Sequence, residues 1–145
     1  MTIVNLMNEA ADSLKKDPFL AATPVVVEDV GDVSNKIEAE IGKTNRCILV
    51  GFGGSNPVKQ GSRGAGVIVD KVKMSVSCFE KPATNRRTKG APTLLDMAQA
   101  VRRILTGAKT EDMASVLFYR GITPIAELTG GRISCDVIFD TDDTL

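Results

Sequence analysis

Lys71-Val72-Lys73-Met74-Ser75-Val76-Ser77-Cys78 alternates strictly between polar and apolar side chains. In an extended chain successive side chains point to opposite faces, so Val72, Met74, Val76 and Cys78 line a core while Lys71, Lys73, Ser75 and Ser77 meet water. The pattern predicts a strand over residues 66–79 in a sheet with one wet face. Upstream, Arg46-Cys47-Ile48-Leu49-Val50-Gly51-Phe52 is apolar almost throughout, the mark of a strand covered on both faces. Downstream, Leu94, Leu95, Ala98, Val101, Ile104 and Leu105 recur at helical spacing, with Pro92 near the first turn and Gly107 just past the end. The spacing predicts a helix over 92–106 that buries Leu95, so that Leu95→Ala costs about 2–5 kcal/mol.

Outward from this centre the elements follow in turn. Ile3, Leu6, Met7, Ala10 and Leu14 form the apolar face of a first helix over 3–16, stopped by Asp17-Pro18. Pro24-Val25-Val26-Val27-Glu28 reads as a short strand. Asp32 is placed to cap a second helix carrying Val33, Ile37 and Ile41 and ending at Gly42. Two or three strands close the chain, over 116–120, 122–125 and 133–139, with Thr129-Gly130-Gly131 as a turn. The expected class is α+β: a single domain over 1–145, built on one mixed or antiparallel sheet with helices packed on one face. The Gly-rich stretch 53–65 reads as a flexible loop, and the acidic tail 140–145 as loose.

Chemistry is bounded mostly by what is missing. The 145 residues contain no histidine, so imidazole bases and imidazole metal ligands are excluded. Eighteen basic and eighteen acidic side chains leave no formal net charge, which argues against wholesale binding to nucleic acid or an anionic membrane. Cys47, Cys78 and Cys135 are widely spaced with no CxxC, so neither a disulfide framework nor a cysteine zinc site is expected, and the thiols suit a reducing compartment. Neither a membrane-length apolar run nor a signal peptide's basic start and apolar core is visible. Gly42-Lys43-Thr44 imitates the end of a phosphate loop, but a helix precedes it and a strand follows, the inverse of the required order. Gly51-Phe52-Gly53-Gly54 follows a strand but lacks the third glycine and the helix of a dinucleotide site. No catalytic, cofactor-binding or metal-ligating set is expected.

Charge is unevenly placed. Residues 43–103 hold twelve basic and three acidic side chains, whereas both flanking segments are acidic. Within the basic middle, Lys59 and Arg63 sit in the Gly-rich stretch, and Arg86 and Arg87 sit in the loop 81–90. Neither stretch interleaves the aromatic side chains of a single-strand nucleic-acid binder. These four residues are the candidate partner-binding positions, expected to touch a partner protein rather than to hold the monomer together.

The layout resembles the small tail-terminator and tail-completion (minor tail) proteins of long-tailed bacteriophages and prophages. The resemblance runs over roughly residues 3–140. It is carried by the N-terminal amphipathic helix, the strand and short helix, and the long alternating strand ending in basic residues. Gly90-Ala91-Pro92-Thr93-Leu94-Leu95-Asp96 then opens a helix ending in Arg102-Arg103-Ile104-Leu105-Thr106-Gly107. A closing strand pair runs from Leu117-Phe118-Tyr119-Arg120-Gly121 to Cys135-Asp136-Val137-Ile138-Phe139. What it implies is a non-enzymatic virion protein without cofactor, assembled in the host cytoplasm. Such proteins form a ring, typically hexameric, that caps the tail tube and joins it to the neck. The implied partners are further copies of itself, the tail tube protein and a neck or head-completion protein, with DNA passing through the ring without sequence-specific binding. A neck or head-completion connector and a small nucleic-acid-binding module remain the alternatives.

Overall fold

A computed structural model describes residues 2–28, 31–59, 69–108 and 117–144. Helix α1, Ile3–Lys16, starts at Thr2, whose hydroxyl accepts from the Asn5 amide, and stops at Asp17 before Pro18. A 3-10 turn, Pro18–Leu20, leads into strand β1, Val25–Val27. Helix α2, Val33–Thr44, is followed by β2, Arg46–Lys59, and β3, Val69–Glu80. The single turn α3, Pro82–Asn85, precedes α4, Leu94–Leu105. Strands β4, Phe118–Ile122, β5, Ala126–Leu128, and β6, Arg132–Thr144, complete the order.

Among the described residues the strands form one six-stranded sheet in the order β1-β2-β3-β6-β4, with β5 also paired to β6. Strand β1 runs parallel to β2 and every other pairing is antiparallel, so the fold is α+β with a mixed sheet. The alternation that opens β3 sorts its side chains as expected. Val72, Met74, Val76 and Cys78 are buried with Ile48, Val50, Cys135, Val137 and Phe139 beneath α1 and α4. One expectation about layers is corrected. Helix α2 lies on the opposite face, where Ile37 and Ile41 pack with Cys47, Val26, Leu49 and Phe79. The reason is visible in β2, which is apolar on both faces: Ile48 and Val50 serve one core, and Cys47 and Leu49 the other.

The stretch expected to be loop from residue 53 is strand as far as Lys59, while residues 60–65 lie outside those described. Its glycines accommodate a break in the ladder between Phe52 and Ser55. Gly54 there has φ 102°, a left-handed conformation that favours glycine. A Cβ on Gly53 would lie 2.9 Å from Cγ of Lys73. The acidic tail is also strand, because β6 continues to Thr144 and sets Asp140 opposite Lys73 and Asp142 opposite Lys71. The Asp140 carboxylate pairs with Lys71 of β3 at 3.6 Å and with Arg120 of β4 at 2.7 Å, so opposite charges tie this end of β6 to both neighbouring strands.

Other boundaries shift modestly. Helix α2 runs past Gly42 and ends at Asn45, which has φ 64°. Asp32 occupies the N-cap position without bonding the backbone; its carboxylate accepts instead from the Asn35 amide at 2.7 Å. All three cysteines are free and buried, and burial, helped by the charge of Glu40, pushes the Cys47 thiol up to about 12. Cys47 thus behaves as a small core residue rather than a nucleophile.

The buried stripe of α4 is Leu94, Met97, Ala98, Ala100, Val101 and Leu105. Leu95 is not part of it and is 49% exposed. The correction follows from the helical period: Leu95 is about 100° around the axis from Leu94, on the side away from Ala100 and outside the arc defined by i, i+3, i+4, i+6, i+7 and i+11. Leu94→Ala is therefore expected to cost about 2–5 kcal/mol, whereas Leu95→Ala should cost under about 1 kcal/mol; paired urea titrations measure both. A second outcome concerns acid. Asp17 bridges α1 and α4 through Arg103 at 3.1 and 3.2 Å and accepts from the Phe19 amide at 3.0 Å. The Arg103 hydrogen bonds hold its carboxyl below the usual carboxylate range. A lowered folded pKa contributes stability that is present above the unfolded value and lost as pH falls through the folded one. Thermal melts across the acid range should show that contribution fading below about pH 4, with a shallower loss in Arg103→Gln.

Candidate partner-binding surfaces

Strand β3 ends on a carboxylate. Glu80 is completely buried, yet it has a full set of donors. Its oxygens accept from the Asn85 side-chain amide at 2.7 Å and from the Leu94 backbone amide at 3.0 Å. Arg86 adds Nη2 at 3.3 Å and Nε at 3.5 Å. Leu94 is the first residue of α4, so the carboxylate sits at the positive end of that helix and satisfies one of its free N–H groups. Thr93 and Asp96 satisfy others through a reciprocal capping box.

The same cluster reaches back to β2. Asn85 accepts from Arg46 at 3.2 Å, and Arg46 also donates to Thr23 at 3.0 Å and to the Ala22 carbonyl at 3.1 Å. Thr84 and the Lys81 amide donate to Asn45 at 2.8 and 2.9 Å, tying the loop to the end of α2. The loop 81–90, expected to be an open basic loop, is thus anchored at its start by buried polar contacts.

The four candidate basic residues separate into two places. Lys59 closes β2, with its backbone opposite Val69 at the start of β3. Arg63 lies outside the described residues. Arg86 and Arg87 follow Glu80 at the other end of β3. Twelve residues of strand lie between, a span on the order of 36 Å at about 3.3 Å per step. Lys59 and the arginine pair therefore belong to opposite ends of the sheet.

The two arginines also differ from each other. Arg86 has its head against Glu80 although its side chain is 56% exposed. Arg87 is exposed and makes no ion pair among the described residues. Lys89 is exposed on the same loop, and Lys43 stands 72% exposed near the end of α2 that the loop abuts. This end of the molecule is a basic pole with Arg86 as its inner member. Sequence reasoning missed the Glu80 cluster, although a lone acid at the end of an amphipathic strand within a basic stretch is a signal for it.

No group of three His, Cys, Asp or Glu side chains able to hold a metal occurs among the described residues. Two shallow clefts lie along the outer side of α4. One, of about 270 Å³, is lined by Phe19, Asp96, Gln99, Ala100 and Arg103. Its neighbour, lined by Gln99, Arg102, Arg103 and Thr106, encloses about 350 Å³. Both are open grooves at the surface.

No family profile matches the sequence, and no curated protein matches it. Among solved structures, a chain from a structure described as "Virion of native gene transfer agent (GTA) particle" shares the fold with a TM-score of 0.60 at 16% identity. The alignment covers 100% of this chain and 100% of that one. At that identity the likeness is one of fold.

The cluster generates a discriminating pair of outcomes. Glu80→Ala strands buried donors and should cost on the order of 3–5 kcal/mol. Arg86→Ala should lower the melting temperature measurably because it uncovers a buried carboxylate, whereas Arg87→Ala should leave it within about a degree, as surface charges contribute little. Differential scanning calorimetry of the three variants tests this division.

Proposed function

We propose that the chain is a structural protein of a phage-like virion, and within it a tail terminator: a ring of copies that caps the tail tube and connects it to the neck. The observation that carries the proposal is the end-to-end fold likeness to a chain of a gene transfer agent virion, with nothing left over in either chain. The tail-terminator resemblance of the sequence supplies the finer assignment. A sequence without histidine and a surface with open, shallow grooves fit a role in assembly rather than catalysis.

A ring that joins two structures needs contact surfaces at both ends. Lys59 and Arg63 are assigned to one partner and Arg87 to the other, because Lys59 and Arg87 lie at opposite ends of β3. Of the arginines, Arg87 reaches the partner's carboxylates, while Arg86 holds the loop in place through Glu80. Charge-assisted contacts of this kind strengthen greatly when a partner excludes water from them. Ring size is assigned as six from the resemblance, and DNA traverses the ring without base-specific contact.

Deleting the gene from a producing strain and imaging the particles by negative-stain electron microscopy tests the assignment. Loss of a terminator leaves tails of uncontrolled length. Normal-length tails detached from heads would instead assign the chain to the neck, and intact infectious particles would refute a virion role. In complementation, Arg87→Ala should reduce the yield of joined particles while preserving the fold of the monomer.

A further inference from the structure

We propose that copies of this chain join head to tail, with strand β5 of one copy seated along the outward face of α4 of the next. The proposal rests on the ring reading above and supplies the contact that builds it. Strand β5 is an edge strand with Ala126, Glu127 and Leu128 all exposed, preceded by Ile125. Ile125 is 48% and Leu128 41% exposed, so an acid stands between two apolar side chains that the monomer leaves in water. Glu127 makes no ion pair among the described residues.

The face of α4 carries the complement. Leu95 is 49% exposed, and Phe19, beside the same helix, is 50% exposed. Arg102 stacks over the Tyr119 ring at 4.8 Å and has no carboxylate partner among the described residues, whereas the adjacent Arg103 is already held by Asp17. Arg102 is therefore the cation of this face left free for an acid. Leu95 and Arg102 are seven residues apart and so lie on one side of the helix, about 10 Å apart at about 1.5 Å per residue. In extended chain Glu127 shares a side with Ile125, about 7 Å away at about 3.3 Å per residue, while Leu128 points to the other side. An apolar–acid side of the strand thus meets an apolar–basic side of the helix, complementary in sign, with the long Arg102 side chain covering the difference in spacing. The two surfaces are different parts of the molecule, so the contact is heterologous, the type that builds a ring when its rotation closes.

The experiment uses the full chain. Self-association is measured by sedimentation velocity up to millimolar concentration for wild type, Arg102→Glu, Glu127→Arg and the double variant. Each single reversal should weaken association roughly tenfold or more, and the double variant should restore it, as expected for a desolvated charge pair. Loss of the Tyr119 stacking alone would not be rescued by Glu127→Arg, so the rescue isolates the intermolecular pair. A benzoylphenylalanine photo-crosslinker at Leu95 should join to residues 122–130 of another copy. Association that ignores both reversals, or a cross-link mapping elsewhere, overturns this contact and leaves the ring reading standing. A wild type that stays monomeric and yields no Leu95 cross-link also overturns it, and the deletion phenotype judges the function separately.

Discussion

A single buried carboxylate fixes how the two halves of this molecule meet. Glu80 is the last residue of β3, and its oxygens hold the first amide of α4, the Asn85 amide and the Arg86 guanidinium. Removing a charge from water is costly unless donors replace the lost hydration, and here they come from a helix terminus, a loop and a cation together. Through Asn85 and Arg46 the cluster continues to Thr23 and the start of β2. The direction of α4 across the sheet, and hence its buried stripe and its outward face, follows from where this carboxylate sits.

Once α4 is set, the remainder of the architecture is a matter of two cores sharing one sheet. The larger lies under α1 and α4, with Leu6, Leu14, Met97 and Val101 against Val76 and Val137. The smaller lies under α2 on the opposite side of β2. Asp17 and Arg103 clasp α1 to α4 at the surface, and Arg132 of β6 reaches Glu38 of α2 on the other side. The outer side of α4, where Leu95 stands half exposed, is left uncovered by the described residues.

Much of this was legible in the chain because periodicity reports burial directly. The alternation Val72, Met74, Val76, Cys78 announced the inner face of β3, and Asp17-Pro18 marked the end of α1. What escaped was set by tertiary partners. Gly53 and Gly54 look like loop residues, and lie in a bulged strand where Gly54 takes a left-handed conformation and Gly53 passes close to Lys73. Asp140 looks like the start of a solvated tail, and is strand where Lys71 and Arg120 hold its carboxylate from the two neighbouring strands. Leu95 is apolar but one position off the stripe, and a residue list by hydrophobicity alone cannot separate it from Leu94. The clamp at Glu80 needs residues from β2, β3, the following loop and α4 at one point, which no local window contains. The sequence already places the basic candidates in two stretches on either side of the alternating strand, and the length of β3 sets how far apart Lys59 and Arg87 lie.

The central claim, that this chain closes the head-proximal end of a tail, is tested most directly by electron cryomicroscopy of intact particles. The account calls for a ring of this six-stranded fold between the tube and the neck, with the two ends of β3 directed toward the two neighbours. Density for the fold at another position in the particle, or its absence from purified particles, would contradict it.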